Sequence, residues 1–327
     1  MLYCAPMQQS ASPLPLDLPT IRIALAKTTT SPQRRSLIAI VGFAVVSALF
    51  FVGGETLSGS SEWEWIIALL GALLFHELGH FAAMRHFGYR DLRIFFIPFF
   101  GAAATGKKRA ATGLEEALVL LAGPVPGIAL GSALLLIFDA DAAAGSWIMA
   151  IAAMLIAVNL FNLLPAAPLD GGRFLDRVIF CRHPAWQRAV RIGGGLLLLA
   201  AAYVLESWVL GLVALSTFLS LSTVLRTARA GRIIRADFDE ETLAQSTIPD
   251  ECVERVSAIV AEQWSDKSSQ VRAETFASLM VNAWEEAGRT PVDRKHVAWL
   301  MVLYFGAIFL PFVAFALAVF VAASSAA

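Results

Sequence analysis

Seven apolar runs, at residues 37–53, 65–87, 114–138, 147–164, 192–205, 208–225 and 297–323, constrain this chain more than any other feature. A helix needs about 20 mainly apolar residues to cross the hydrocarbon layer of a bilayer, about 30 Å thick. Most of the runs meet that length, so the chain is expected to be an all-α polytopic membrane protein with about seven transmembrane helices. Composition agrees, with 57% hydrophobic and 16% charged residues against about 45–50% and 25% in ordinary soluble domains. The fifth and sixth runs are short and separated only by Glu206 and Ser207. They are read as a tight transmembrane hairpin, because both of its flanks are rich in arginine and belong on one side.

Charge fixes the expected orientation. Residues 54–64, 139–146 and 206–207 hold Glu and Asp but no Lys or Arg, whereas basic residues cluster at 85–109, 173–191 and 226–235. Cytoplasmic loops carry the excess of Lys and Arg. Seven crossings then leave the amino terminus in the cytoplasm and the carboxyl terminus outside, in a multi-pass cell-membrane protein. Residues 1–36, rich in Pro, Ser and Thr at their start, are expected to be a disordered cytoplasmic segment, and 37–63 an uncleaved first anchor. Residues 64–182 hold the candidate chemistry, 183–229 the hairpin, and 297–327 the last span. Between them, 230–296 is the only sizeable polar stretch. Its Val253, Val256, Val260 and Trp264, then Phe276, Leu279, Met280 and Ala283, recur at helical spacing, which predicts a small helical cytoplasmic domain. A net charge of −1 gives nucleic-acid binding no support. The three cysteines, Cys4, Cys181 and Cys252, are too scattered for a disulfide framework or a cysteine zinc module.

The chemistry-bearing residues lie in the second run, Phe75-His76-Glu77-Leu78-Gly79-His80. On a helix, positions i and i+4 share a face, so His76 and His80 can both bind one zinc ion, with Glu77 placed to act as general base on a water. Ionisable residues at bilayer depth are costly and mark function. A catalytic zinc needs a third protein ligand. Asp170 is the candidate, in Asn162-Leu163-Leu164-Pro165-Ala166-Ala167-Pro168-Leu169-Asp170-Gly171-Gly172, at the cytoplasmic end of the fourth run and hence at a similar depth. Pro165 and Pro168 break the helix there. Taken locally, Asp170 reads better as a cap of the next helix or the end of a span than as a ligand.

The paired motifs, in this order and on separate spans, resemble the site-2 protease family of intramembrane zinc metalloproteases. The resemblance covers about residues 64–182. It implies that His76, His80 and Asp170 bind one Zn2+, that Glu77 is the catalytic base, and that Asn162 helps hold substrate or oxyanion near the metal. Asn159, one turn earlier, has no assignment in that pattern. The segment 94–101, Ile-Phe-Phe-Ile-Pro-Phe-Phe-Gly, is too short to span and resembles the family's membrane re-entrant β-hairpin. Gly123-Pro124-Val125-Pro126-Gly127 with Gly131 matches the family's small-residue pattern and is read as helix packing. The family's frequent PDZ domain has no room in the connection 139–146, and 230–296 does not look like a CBS pair.

The implied function is intramembrane proteolysis of transmembrane protein substrates. A metal transporter or a catalytically silent membrane scaffold are the alternatives. The first, fifth, sixth and seventh runs lack charged residues in their interiors, unlike a transport path, and a silent scaffold has no need of an intact His76, Glu77, His80 and Asp170. A prenyl-protein endopeptidase would take its third ligand from an intramembrane glutamate on a later helix, and none is present. The sequence leaves the oligomeric state and the substrate open.

Overall fold

The computed structural model describes residues 16–30, 62–97, 101–108, 111–137, 147–182, 184–204, 206, 208–245, 247–264 and 272–325. The expected first span, 37–53, lies outside the described residues. The chain divides into two compact units, one formed within residues 1–34 and 220–289 and the other within 35–219 and 290–327.

The larger unit carries the apolar helices. Helix α2, Glu62–His86, has 25 residues and is roughly 37 Å long at 1.5 Å per residue. Gly88, at φ +75°, turns the chain out of it into the strands β1, Arg90–Ile97, and β2, Gly101–Lys107. These pair antiparallel, with Ile94 opposite Ala104 and Phe96 opposite Ala102, and an irregularity between Arg90 and Arg93. The sequence marks only the apolar stretch at 94–101. The second strand is mostly alanine and glycine, residues with little preference for strands, and is legible only through its pairing.

The third apolar run is two helices, α3 at Gly113–Ala122 and α4 at Pro124–Ile137, meeting at Gly123. Thr112 caps α3 by accepting from the Glu115 amide, while the Glu115 carboxylate accepts from the Thr112 amide. This reciprocal cap satisfies two donors that a helix start otherwise leaves unpaired. The fourth run is α5, Trp147–Asn162, and the short α6, Asp170–Val178, follows the Pro-rich turn. Helix α6 buries Phe174, Leu175 and Val178. They share a cluster with Leu121, Ile128, Leu163, Leu300 and Tyr304, which joins α3, α4, α5 and α6 to the last helix, α12 at Arg294–Ser325. The hairpin runs are α7, Pro184–Val204, and α8, Trp208–Asp237.

Four helical stretches among the described residues are long and apolar enough to cross a membrane: 67–86, 113–137, 210–237 and 294–321. The molecule is therefore read as a multi-pass membrane protein. About seven spans are expected from sequence; the first lies outside the described residues, and four meet the length and apolarity among those described. Helix α5 is apolar but has only 16 residues, because Pro165 and the turn after it stop the fourth run early. Helix α7 starts eight residues before its apolar run and carries Arg188 and Arg191 in its first half, which dilutes its apolar length.

The smaller unit contains α1 at Leu18–Thr30, the end of α8, α9 at Glu240–Leu243, α10 at Val253–Gln263 and α11 at Ala273–Gly288. Val256, Val260, Phe276, Met280 and Trp284 form its core with Ile234 and Ile21. Helix α1 corrects the expectation that all of 1–36 is disordered. Ile21 is 1% exposed, and Leu18 and Leu25 pack on the same core. Their i, i+3, i+7 spacing is an amphipathic stripe that the Pro, Ser and Thr content around it conceals.

Candidate metal centre

Helix α2 brings His76, Glu77 and His80 into the interior, at 3%, 5% and 7% exposure, while Phe75 and Leu78 face outward. Asp170, the first residue of α6, is buried with them. Its Oδ2 lies 3.1 Å from His76 Nε2 and 3.0 Å from His80 Nε2, and the two Nε2 atoms are 3.1 Å apart. The imidazole rings meet edge to face, with centroids 4.7 Å apart. Glu77 Oε1 stands 3.9 Å from His76 Nε2.

The outer nitrogens determine what the inner ones can do. His80 Nδ1 is 2.7 Å from the Val119 carbonyl oxygen, which only accepts, so Nδ1 carries the hydrogen. His76 Nδ1 is 2.8 Å from Asn159 Oδ1. The Asn159 amide nitrogen donates to the Leu155 carbonyl at 2.6 Å, which fixes its oxygen toward His76. With both Nδ1 atoms protonated, both Nε2 atoms present lone pairs to a carboxylate oxygen. Three electron-pair donors within 3.1 Å of one another repel unless a cation lies among them. A tetrahedral zinc with bonds of about 2.0–2.2 Å spaces its ligand atoms about 3.3 Å apart, close to this triangle. The donor set fits a zinc ion by chemistry and by spacing.

Neighbouring elements hold the cluster together. Gly123, at the joint of α3 and α4, lies against His80, and a Cβ there would stand 2.4 Å from Nε2. The turn before Asp170 is pinned from two later helices. The Thr217 hydroxyl in α8 donates to the Ala167 carbonyl at 2.7 Å, and the Tyr304 hydroxyl in α12 donates to the Leu163 carbonyl at 2.5 Å. Tyr304 also stacks on Phe174, with centroids 5.1 Å apart.

Of the residues expected from sequence, His76, His80 and Asp170 converge and Glu77 lies beside them. Asn162 is partly buried and donates to the Val158 carbonyl of its own helix at 3.0 Å. Among the described residues it is Asn159, not Asn162, that hydrogen-bonds a member of the triangle. The signal was present in the sequence: Asn159 is a polar side chain inside an apolar run, where such residues are retained for a reason. His86 is exposed, and His183 lies outside the described residues.

Residues 64–144 match the family model of Peptidase family M50. The chain is 31% identical over 142 residues to stage IV sporulation protein FB of Bacillus subtilis, covering 39% of this chain and 49% of that protein. It is 26% identical over 181 residues to zinc metalloprotease MJ0392 of Methanocaldococcus jannaschii, covering 53% and 52%. Among solved structures it is similar to the site-2 protease from Methanocaldococcus jannaschii, with a TM-score of 0.41 and 20% identity over 55% of this chain and 86% of that one. The chain thus spans about half the length of these two curated relatives. The part matched to the family model holds His76, Glu77 and His80, and the fold brings Asp170 onto them; over residues 64–144 the chain is similar to Peptidase family M50, the site-2 protease family.

Proposed function

We propose that this protein is an intramembrane zinc endopeptidase that hydrolyses peptide bonds in or beside transmembrane segments of membrane-protein substrates. The observation that carries the reading is the buried triangle of His76 Nε2, His80 Nε2 and Asp170 Oδ2, with the Glu77 carboxylate alongside. The three residues would hold one zinc ion per chain, which when bound polarises a carbonyl and lowers the pKa of water. Glu77 takes a proton from the attacking water and passes it to the departing amine nitrogen, the two halves of general acid–base catalysis. Asn162, at the end of α5, holds the substrate backbone or the developing oxyanion.

A peptide bond in a helix is shielded by its own hydrogen bonds, so the substrate must unwind before attack. The β1–β2 hairpin serves as a re-entrant element whose strand edge pairs with the extended segment. The arginine-rich connections set the metal toward the cytoplasmic side, with the amino terminus and residues 230–296 in the cytoplasm. Cleavage there frees the cytoplasmic part of the substrate.

The test is cleavage of membrane-segment reporters, tagged at both ends and reconstituted with the purified chain. Wild type is expected to cut within or next to the segment, and Glu77→Gln to retain zinc but lose cleavage. Cleavage by Glu77→Gln at the wild-type rate overturns the general-base role. Loss of zinc in Glu77→Gln assigns the carboxylate to the metal instead.

A further inference from the structure

Resting on the zinc reading above, we infer that Asn159 and Gly127 act together as a positioning pair that sets the tautomer and orientation of His76. Asn159 is fully buried in the apolar helix α5, where an unsatisfied amide is costly. Both ends of its amide are engaged: nitrogen to the Leu155 carbonyl at 2.6 Å and oxygen to His76 Nδ1 at 2.8 Å. The first bond fixes which way the amide faces. The second makes Nδ1 the protonated nitrogen and leaves the Nε2 lone pair for the metal. A histidine ligand oriented in this way through its other nitrogen is a more basic and better-placed donor.

The two histidines differ in how this is achieved. His80 is oriented by a backbone carbonyl, that of Val119, which any residue supplies. His76 depends on one side chain, so its orientation is encoded at a single position. Gly127 of α4 makes that position possible. A Cβ on Gly127 would stand 2.2 Å from Asn159 Nδ2 and 2.8 Å from its Cγ. The contact falls on the amide itself, inside a hydrogen-bonded arrangement that has no slack on either side. Part of the Gly-Pro-Val-Pro-Gly segment therefore has a role beyond helix packing: Gly127 admits the group that aims a metal ligand.

The experiment measures zinc affinity of the purified full chain by competition with a chelator, together with the visible spectrum of the cobalt-loaded chain. Removing an outer partner of a metal-bound histidine typically weakens binding about 10–100-fold. That loss is expected for Asn159→Leu, with a changed cobalt spectrum. Asn159→Asp restores the acceptor and is expected to stay within a few-fold of wild type, a rescue that a packing role alone would not give. Gly127→Ala is expected to weaken zinc about tenfold or more when Asn159 is present, and by less than about twofold in an Asn159→Ala background. Such non-additivity marks residues acting through one another. Wild-type affinity and spectrum in Asn159→Leu overturn the proposal while leaving the metal site intact. Equal losses from Gly127→Ala in both backgrounds overturn the pairing. A wild-type chain that binds no zinc overturns the metal reading and this proposal with it.

Discussion

Tyr304→Phe separates one hydroxyl from everything else that the last helix contributes. Tyr304 is 2% exposed, its ring stacks nearly parallel on Phe174, and its hydroxyl donates to the Leu163 carbonyl at 2.5 Å. That carbonyl is in turn seated on the first turn of α6, since a Cβ on Gly171 would lie 2.1 Å from it. Phenylalanine keeps the ring, so packing is preserved and only the hydrogen bond is lost. A side-chain hydrogen bond between membrane helices averages about 0.6 kcal/mol and reaches about 1.7. Leaving a buried acceptor unpaired costs about 1–3 kcal/mol. The expected destabilisation is about 1–2 kcal/mol, whereas Tyr304→Ala, which also empties the ring's volume, should cost about 3–5 kcal/mol. Because the turn leads directly to Asp170, zinc affinity should fall too, by at most about tenfold, the lower end of what outer partners of a metal site contribute. The assays are thermal unfolding in detergent and chelator competition. A Tyr304→Phe chain with wild-type melting and wild-type zinc affinity would refute the reasoning that α12 braces the metal-bearing turn.

Further outcomes follow from the same geometry. Gly123→Ala should displace the His80 ring, whose Nε2 a Cβ would approach to 2.4 Å, and lower zinc content sharply. Gly71→Ala in α2, with nothing within 4 Å of the added carbon, should leave zinc unchanged, and equal behaviour of the two variants would refute the close-approach argument. Thr217→Val should loosen the same turn through the Ala167 carbonyl, detected as faster protease nicking near 165–168, and unaltered nicking would count against that contact. In the smaller unit, the Thr242 hydrogen bonds hold the Asp239 carboxyl below the ordinary value of 3.8. Its native pKa is the lower one, so its contribution is present above about 3.8 and is lost as pH falls through the depressed value. Asp239→Ala should therefore melt earlier than wild type near neutral pH and converge with it in acid, and a gap that widens in acid would reverse the assignment.

The local chemistry was legible where spacing decides it. His76 and His80 at i, i+4 need only a helix to share a face, and α2 supplies it. Asp170 is 90 residues from His80 in sequence. Its convergence depends on how α5 stops and α6 starts; local sequence there favours a cap, and the family resemblance rather than periodicity points to the ligand. Asn159 has no assignment from sequence because the motif centres on Asn162, three residues later, while hydrogen bonding to His76 depends on how closely α4 lets α5 approach. The interruption of the third run at Gly123 is invisible to a hydropathy reading, which only sums apolar residues. Helix α8 runs twelve residues past the apolar run, to Asp237. Arg226, Arg229, Arg232 and Arg235 look like a loop by charge, yet their spacing of three is compatible with a helix.

Zinc content per purified chain, wild type against Asp170→Ala, tests the central claim most directly because it needs no substrate. Asp170 Oδ2 is the atom that ties α6 to both histidines. The account predicts near one zinc per wild-type chain and a clear loss in the variant. Undiminished zinc without Asp170, or none in wild type, would contradict the three-ligand site and the proteolysis proposed to depend on it.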